Sequence, residues 1–476
     1  MVAVTARAST VLNSPRVIAA IAAWLLALAL ILRLGAIEHY RYVPINDARS
    51  YLNSAAAISK YGTYHDGNHA AGGTRGPSAY FPPAYAYLLS IVDKLTGGPA
   101  LGASTVHLAR ILQALLGTVT VLLIGLIALE LFGVVTALLA LAIGAIYPVF
   151  IELSSVLVAE NLLTVLELGA VLAALRARHT TRPWRWVIAS GVLVGLAALT
   201  HTNAALIAIP LAFAVKGVTP RTRRSIQTAG LAPSATMLAV ALLTVTPWLI
   251  RDAEVFHHFV PISTEDGITL AGTYNPTSAA SDPPYRWLYF GSVPSLAGLQ
   301  RGTHDMTELQ LDQKLEHRAA SYVGQHPLAP FSVAFHNTLR LLELEGTRTQ
   351  DISSSSIGLD LNLAHDGVLS FWLLLAIALA GLATRPVRRA LRRIPHWFWG
   401  VPFVMWLTVV LVNAETPRFR EPLDPFLILV AAVALATFLT RMRDSRPSGR
   451  WLGVADASGA FRRAQAQRSP GFRNGN

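Results

Sequence analysis

Between Arg16 and Leu439 the chain returns repeatedly to long apolar stretches, and that recurrence fixes most of what it can become. A helix needs roughly 20 mostly apolar residues to cross a hydrocarbon core of about 30 Å. Within that core the backbone must satisfy its own polar groups, which here requires helix. Hydrophobic residues fill 53% of the 476 positions and charged residues 14%, with a mean hydropathy of +0.45; a water-soluble domain of this size hardly tolerates that balance. The expected fold is an all-α, multi-pass integral membrane protein.

The candidate spans are 17–34, 107–132, 134–150, 156–175, 186–199, 204–215, 228–250, 367–383, 397–412 and 423–440, about ten helices, of which the fifth and sixth are short. The first follows Arg7 and Arg16, is too long for a signal peptide and lacks a small-residue cleavage site, so it reads as a retained helix.

A net charge of +12 suggests a nucleic-acid partner only until the basic residues are located. They sit in short runs beside the spans: Arg176 to Arg185, Lys216 to Arg224, Arg385 to Arg393, and the tail after Arg441. With the N-terminus in the cytoplasm, all these runs fall inside, as does the C-terminus. More than half of the 39 Lys and Arg then lie on the inner face, and almost all 27 Asp and Glu on the other. Chemistry is therefore expected outside the cytoplasm. The chain has no cysteine, which excludes disulfides, thiolate metal sites and a Cys nucleophile.

Two external segments, 38–106 and 251–366, are too long to be simple connectors. The membrane domain is expected over 1–440, and 441–476, rich in Arg, Ser, Gly and Gln, as a basic cytoplasmic tail, disordered on the anionic inner leaflet. No internal repeat is visible, which argues against a transporter built from duplicated halves.

The first external segment opens with Pro44-Ile-Asn-Asp47, and Tyr51, Leu52, Ala55, Ala56 and Ile58 follow at helical spacing. An amphipathic helix in the membrane interface is predicted, with Asp47 at its start. Asp47 taken alone reads as a helix cap; as a carboxylate at head-group depth, it is also placed to accept a proton from a hydroxyl. Tyr80-Phe-Pro-Pro-Ala-Tyr85 starts a second helix. Between them runs a glycine-rich stretch containing Arg75, suited to wrapping an anion. His65, Asp66 and His69 make a divalent metal possible, although their spacing is no sharp metal signature and a solvated loop is the plainer reading.

The order Asp47-x-x-x-Tyr51, Gly62-x-Tyr64 and Phe81-Pro-Pro-x-Tyr85 after a first helix resembles the GT-C glycosyltransferases that use lipid-linked sugars. The resemblance is to the polyprenyl-phosphate-mannose protein mannosyltransferase and aminoarabinose transferase group. It continues through His107 to Arg110, Val158-Ala-Glu160-Asn, Thr246-Pro-Trp-x-x-Arg251 and Arg418-Phe-Arg420-x-Pro422. It implies a GT-C transmembrane bundle, Asp47 as catalytic base, a polyprenyl-phosphate sugar donor, and inverting transfer to a protein, glycan or lipid acceptor. Two departures stand out. Phe81 occupies the place where many members carry lysine, and His201 the place of another basic residue.

A direct displacement at the sugar C1 needs a base on one side and positive charge for the leaving phosphate on the other. Arg418 and Arg420 are nominated for the phosphate, with Arg75 and Arg251 behind them; the competing role for Arg418 and Arg420 is anchoring a helix end or pairing with Glu415 or Glu421, and for Arg251 anchoring. Glu160 lies in an apolar stretch, where ionisable residues are functional by default. It is expected to bind the sugar or acceptor, alongside Tyr51, Tyr85, His201 and Asn203, and its plain role is pairing with Asn161 or His201. In the second external segment, a charged helix over 305–322 is expected as a lid or structural cap. An interfacial helix over 331–344 follows, with Leu328, Phe331, Phe335, Leu339 and Leu342 facing lipid and Arg340 and Glu343 facing water. The competing classes are a polytopic lipid or sugar transporter, for which Glu160 would also serve, and an inactive scaffold of the same fold. The alanine and arginine bias points to a bacterial plasma membrane.

Overall fold

The computed structural model describes residues 14–65, 74, 77–218 and 230–444. Among them it is all-helical. Arg75, Asp66, His69 and the tail beyond Asp444 lie outside the described residues.

Helix α1 (Pro15–His39) is followed by two helices outside the apolar bundle, α2 (Asn46–Tyr61) and α3 (Ala84–Thr96), which end at Gly62 and Gly97 with φ of +67° and +61°. That left-handed turn is where glycine is least costly. Helices α2 and α3 pack through Tyr51, whose ring centroid lies 4.7 Å from Phe81 and 4.9 Å from Tyr85. Asp47 falls inside the first turn of α2, where Ile45 is the N-cap and no side chain caps the helix. The carboxylate therefore does not do the capping work that composition alone suggests.

Next come α4 (Ala103–Phe132), α5 (Val134–Ile146), α6 (Pro148–Leu153) and α7 (Glu160–Ala177). The span expected over 134–150 breaks at Tyr147, where Pro148 supplies no N–H, and the one expected from 156 begins only at Glu160. The backbone between is buried, so its carbonyls need donors. Asn161 Nδ2 donates to Leu153 O at 2.9 Å, Arg110 Nε to Ser155 O at 2.6 Å, and Gln113 Nε2 to Val156 O at 3.1 Å and Val158 O at 2.7 Å. Two polar side chains of α4 thus hold open a non-helical segment that delivers Glu160.

Helix α8 (Pro183–Ala198), a 3-10 turn (Thr202–Ile207) and α9 (Ala208–Val215) are followed by α10 (Ala232–Phe256). Helices α8 and α10 approach closely because Gly191 and Gly195 face the second backbone. A Cβ at Gly191 would lie 2.6 Å from Met237 O, and one at Gly195 2.7 Å from Ala241 O. This is the small-residue packing that lipid, unlike water, favours.

Outside the bundle lie α11 (Asp266–Thr273), α12 (Glu308–Gln325), α13 (Ala329–Leu341) and α14 (Thr347–Ser356). Helix α12 opens with a Thr307/Gln310 capping box. It buries Leu311, Leu315 and Ala319 and ties the two external segments together. Glu308 accepts from Ser78 Oγ at 2.8 Å and Ala79 N at 2.7 Å and also bonds Thr264; Asp312 accepts from Gly267 N at 2.7 Å. On α13, Leu328, Phe331 and Phe335 are exposed as the amphipathic pattern predicts. Arg340 and Glu343 do not face water: Arg340 is buried against Glu345 at 2.6 Å, and the Glu343 side chain, 5% exposed, lies against Arg420 at 2.8 Å. Their charges are neutralised in pairs, which is the condition for burial.

The bundle closes with α15 (Leu361–Ala383), α16 (Arg385–Leu391), α17 (His396–Val412) and α18 (Asp424–Asp444). By length and apolarity, five described helices suffice to cross a membrane, six if the bent pair α16 and α17 counts as one span, with three shorter apolar segments beside them. Helix α7 carries Glu160, Glu167 and Arg176, which sets it apart from these. Ends of α4, α7 and α9 meet through Arg176 to Glu130 at 3.3 Å and Arg178 Nη1 to Ala214 O at 2.6 Å. The basic turns therefore gather at one end of the bundle, and the external helices at the other.

Candidate functional site

At the end of the bundle that carries α2 and α11, a pocket open to solvent is walled by Asp47, Tyr51, Phe81, Glu160, His201, Glu265, Arg418 and Phe419. These residues come from segments spread along the chain. Asp47 stands on the first turn of α2, Glu160 on the first turn of α7, His201 in the break after α8, and Arg418 on a 3-10 turn (Arg418–Arg420) between α17 and α18. Each segment joins helices at the same end of the bundle, so the topology brings them together.

Arg418 is the hub. Its Nη1 donates to Asp47 Oδ2 at 2.6 Å and its Nη2 to Glu415 Oε2 at 2.9 Å, while Nε lies 3.8 Å from Glu160 Oε1. The guanidinium also stacks over Phe419, 4.5 Å from the ring centroid. Burial alone would lower its pKa, but Glu415, Asp47 and Glu160 outweigh burial and raise it, so the residue stays cationic. Glu160 Oε1 is 3.7 Å from His201 Nε2. Glu160 Oε1, His201 Nε2 and Arg418 Nε are buried and make no hydrogen bond. Buried polar atoms seldom stay unsatisfied, and these three border one cavity. They suit a bound hydroxyl that donates to the carboxylate and accepts from the cation.

Burial lowers the His201 pKa, with Glu160 opposing, and keeps the imidazole neutral near pH 7. Glu265, from the turn just before α11, is pushed well above the usual carboxylate range by burial, then by Asp47 and Asp266. Tyr51 likewise keeps its proton, chiefly through burial and then through the Asp47 charge. The cavity thus combines an ionisable carboxylate facing a fixed cation with groups able to donate.

Of the described residues nominated for the site, Asp47, Tyr51, Glu160, His201 and Arg418 are brought together, and Arg420, Arg251, Asn203 and Tyr85 are not. Arg420, two residues from Arg418, points the opposite way. It is buried, paired to Glu343 at 2.8 Å and Asp424 at 3.4 Å, and lies over the Phe371 ring, so it is a structural cation. Arg251 is spent on the first external segment, donating to Ser78 O at 2.8 Å and Tyr64 O at 3.3 Å, with Asp252 at 2.7 Å. Asn203 Nδ2 bonds Thr408 Oγ1 at 3.0 Å and ties two helices. Tyr85 is fully buried behind Tyr51. Among the described residues no group of three His, Asp or Glu is arranged to hold a metal ion. His65 is described only without its proposed partners Asp66 and His69.

Glu265 and Phe419 were not anticipated. Glu265 precedes Asp266 at a helix start, where acidic residues are ordinary. Phe81, where lysine was expected by resemblance, places a ring in the cavity wall, which leaves Arg418 as the guanidinium among the described lining residues.

Comparison with known proteins bears on this arrangement. Residues 81–250 match the family described as dolichyl-phosphate-mannose-protein mannosyltransferase, a stretch that contains Phe81, Glu160 and His201. The oligosaccharyltransferase of Archaeoglobus fulgidus, solved with a tethered acceptor peptide containing the NVT sequon, is 14% identical, covered over 93% of this chain and 53% of its own, with a TM-score of 0.50. ArnT of Cupriavidus metallidurans, solved bound to undecaprenyl phosphate, is 15% identical over 87% of this chain and 77% of its own, with a TM-score of 0.40. The chain spans about half the length of the oligosaccharyltransferase it matches. No curated protein matches it in sequence. The chain has the GT-C membrane fold that its motifs implied.

Proposed function

We propose that the chain is an inverting glycosyltransferase that moves a sugar from a polyprenyl-phosphate donor to an acceptor on the extracytoplasmic side of a bacterial plasma membrane. The observation that carries the reading is the contact between Asp47 and Arg418 in the wall of a cavity at the end of the bundle opposite the basic turns. The reaction needs a base and an anion-stabilising cation within one sugar's breadth. The acceptor oxygen forms its bond to C1, its proton passes to Asp47, and the C1–O bond to phosphate breaks. The leaving polyprenyl phosphate is met by the Arg418 guanidinium, whose planar edge matches two phosphate oxygens. Glu160 and neutral His201 take a sugar hydroxyl between them, and Tyr51 supports that wall. Protonated Glu265 donates across the cavity. The acceptor is a protein, glycan or lipid hydroxyl, and both termini lie in the cytoplasm, as does the tail over 441–476.

The test is transfer of a labelled sugar from a polyprenyl-phosphate donor in proteoliposomes, comparing the wild type with Asp47→Asn. Loss of transfer with the protein still folded supports the reading. A wild type that moves the lipid across the bilayer but transfers no sugar overturns it in favour of a transporter, and one with neither activity in favour of a scaffold.

A further inference from the structure

The two carboxylates that bond Arg418 are not equivalent. Asp47, on Nη1, belongs to a distant segment, lines the cavity and keeps about a third of its side chain exposed. Glu415, on Nη2, is three residues before Arg418 in the same connection, is more buried, and is fixed from its other side by Asn413 Nδ2 at 3.1 Å. In the resting protein, on the reading above, the base and the cation of the reaction are bonded to each other, and neither is free. A phosphate oxygen entering the cavity seeks the same Nη1 edge that Asp47 holds. The donor phosphodiester carries one negative charge, as Asp47 does, and the released phosphate monoester up to two, so each can take the Nη1 N–H in place of the carboxylate.

We propose that Glu415 is a positioning residue: it keeps Arg418 aimed into the cavity through Nη2 while the donor phosphate displaces Asp47 from Nη1, so that donor binding is what releases the base. The proposal rests on the function proposed above and adds an order to it. The acceptor hydroxyl is activated only after the donor has arrived, and the released polyprenyl phosphate keeps Asp47 displaced until it leaves.

The two carboxylates then have opposite effects on phosphate affinity, which distinguishes this account from simple electrostatics. If both merely made the cavity more negative, neutralising either would tighten phosphate binding. The experiment measures binding of a synthetic polyprenyl monophosphate, and of inorganic phosphate, to the full chain in detergent for the wild type, Asp47→Asn, Glu415→Gln and Glu415→Asp. Asp47→Asn is expected to bind the lipid phosphate about tenfold more tightly although its transfer is lost, and Glu415→Gln about tenfold more weakly, the size of one charge-assisted bond. Glu415→Asp, which keeps the charge, recovers part of that loss and shows that folding is intact. Unchanged or weaker binding by Asp47→Asn, or tighter binding by Glu415→Gln, overturns the proposal while leaving the glycosyltransferase reading in place. If even the wild type prefers the lipid phosphate no more than inorganic phosphate, the donor assignment itself fails and takes the proposal with it.

Discussion

Asp47 Oδ2 and Arg418 Nη1 lie 2.6 Å apart although 371 positions separate them in sequence. The pair joins the first external helix to the turn before the last membrane helix. Asp47→Asn keeps the size of the side chain and removes the proton acceptor. Sugar transfer is expected to fall by roughly 10² to 10⁴-fold, the usual contribution of a general base. The melting temperature should move little, because a partly exposed ion pair is worth about 1 kcal/mol or less. Assay and thermal melt on one preparation check both halves.

The neighbouring arginines separate function from architecture. Arg418→Lys retains charge without the planar edge, so donor KM should rise with the fold intact. Arg420→Gln strands the buried carboxylates Glu343 and Asp424 and should destabilise the protein by about 3 to 5 kcal/mol. A chemical-denaturation or thermal-shift series distinguishes them. An Arg420 variant that is stable but defective in donor binding would reverse the assignment.

Gln113 is expected to matter out of proportion to its distance from the cavity. Gln113→Leu leaves the carbonyls of Val156 and Val158 buried without a donor, at about 1 to 3 kcal/mol each. The segment carrying Glu160 should shift, so transfer falls together with stability. Increased hydrogen exchange across 154–160 is the measurement that localises the effect.

The stability of the external unit should decline as pH rises. Burial, countered by the Gly267 N–H, raises the Asp312 pKa from 3.8 to about 8. Between these values the unfolded chain has lost the proton and the folded chain still holds it, so the folded state binds more protons and ΔG of unfolding falls with pH. Below 3.8 both states are protonated and the effect vanishes. Thermal melts of the wild type from pH 4 to 8 should show the slope, and Asp312→Asn should flatten it.

The membrane helices were legible because apolar runs of the required length have no other use. Asp47 could be nominated from sequence because it follows the first span ahead of the Phe81-Pro-Pro pattern, although the residue taken alone reads as a helix cap. What separates Arg418 from Arg420 was not legible: they share one turn and differ only in which way it aims them. Their distinction rests on Glu343, 77 positions earlier, whose charge reaches Arg420. The same holds for the break before Glu160. Its sequence is apolar enough to be continuous helix, and the donors that permit the interruption, Arg110 and Gln113, sit on a different helix. Local pattern reports what a segment prefers; tertiary hydrogen bonds decide where that preference is overruled.

Because the cavity wall draws on residues from Asp47 to Arg418, it has no partial form. A ribosome still extending the chain before the turn that carries Arg418 has already threaded most of the helices into the bilayer, but exposes Asp47 and Glu160 without their counter-ion. On the proposed function, competence therefore arises abruptly, once the turn carrying Arg418 has joined the earlier segments, and a nascent chain that lacks it cannot consume a carrier lipid.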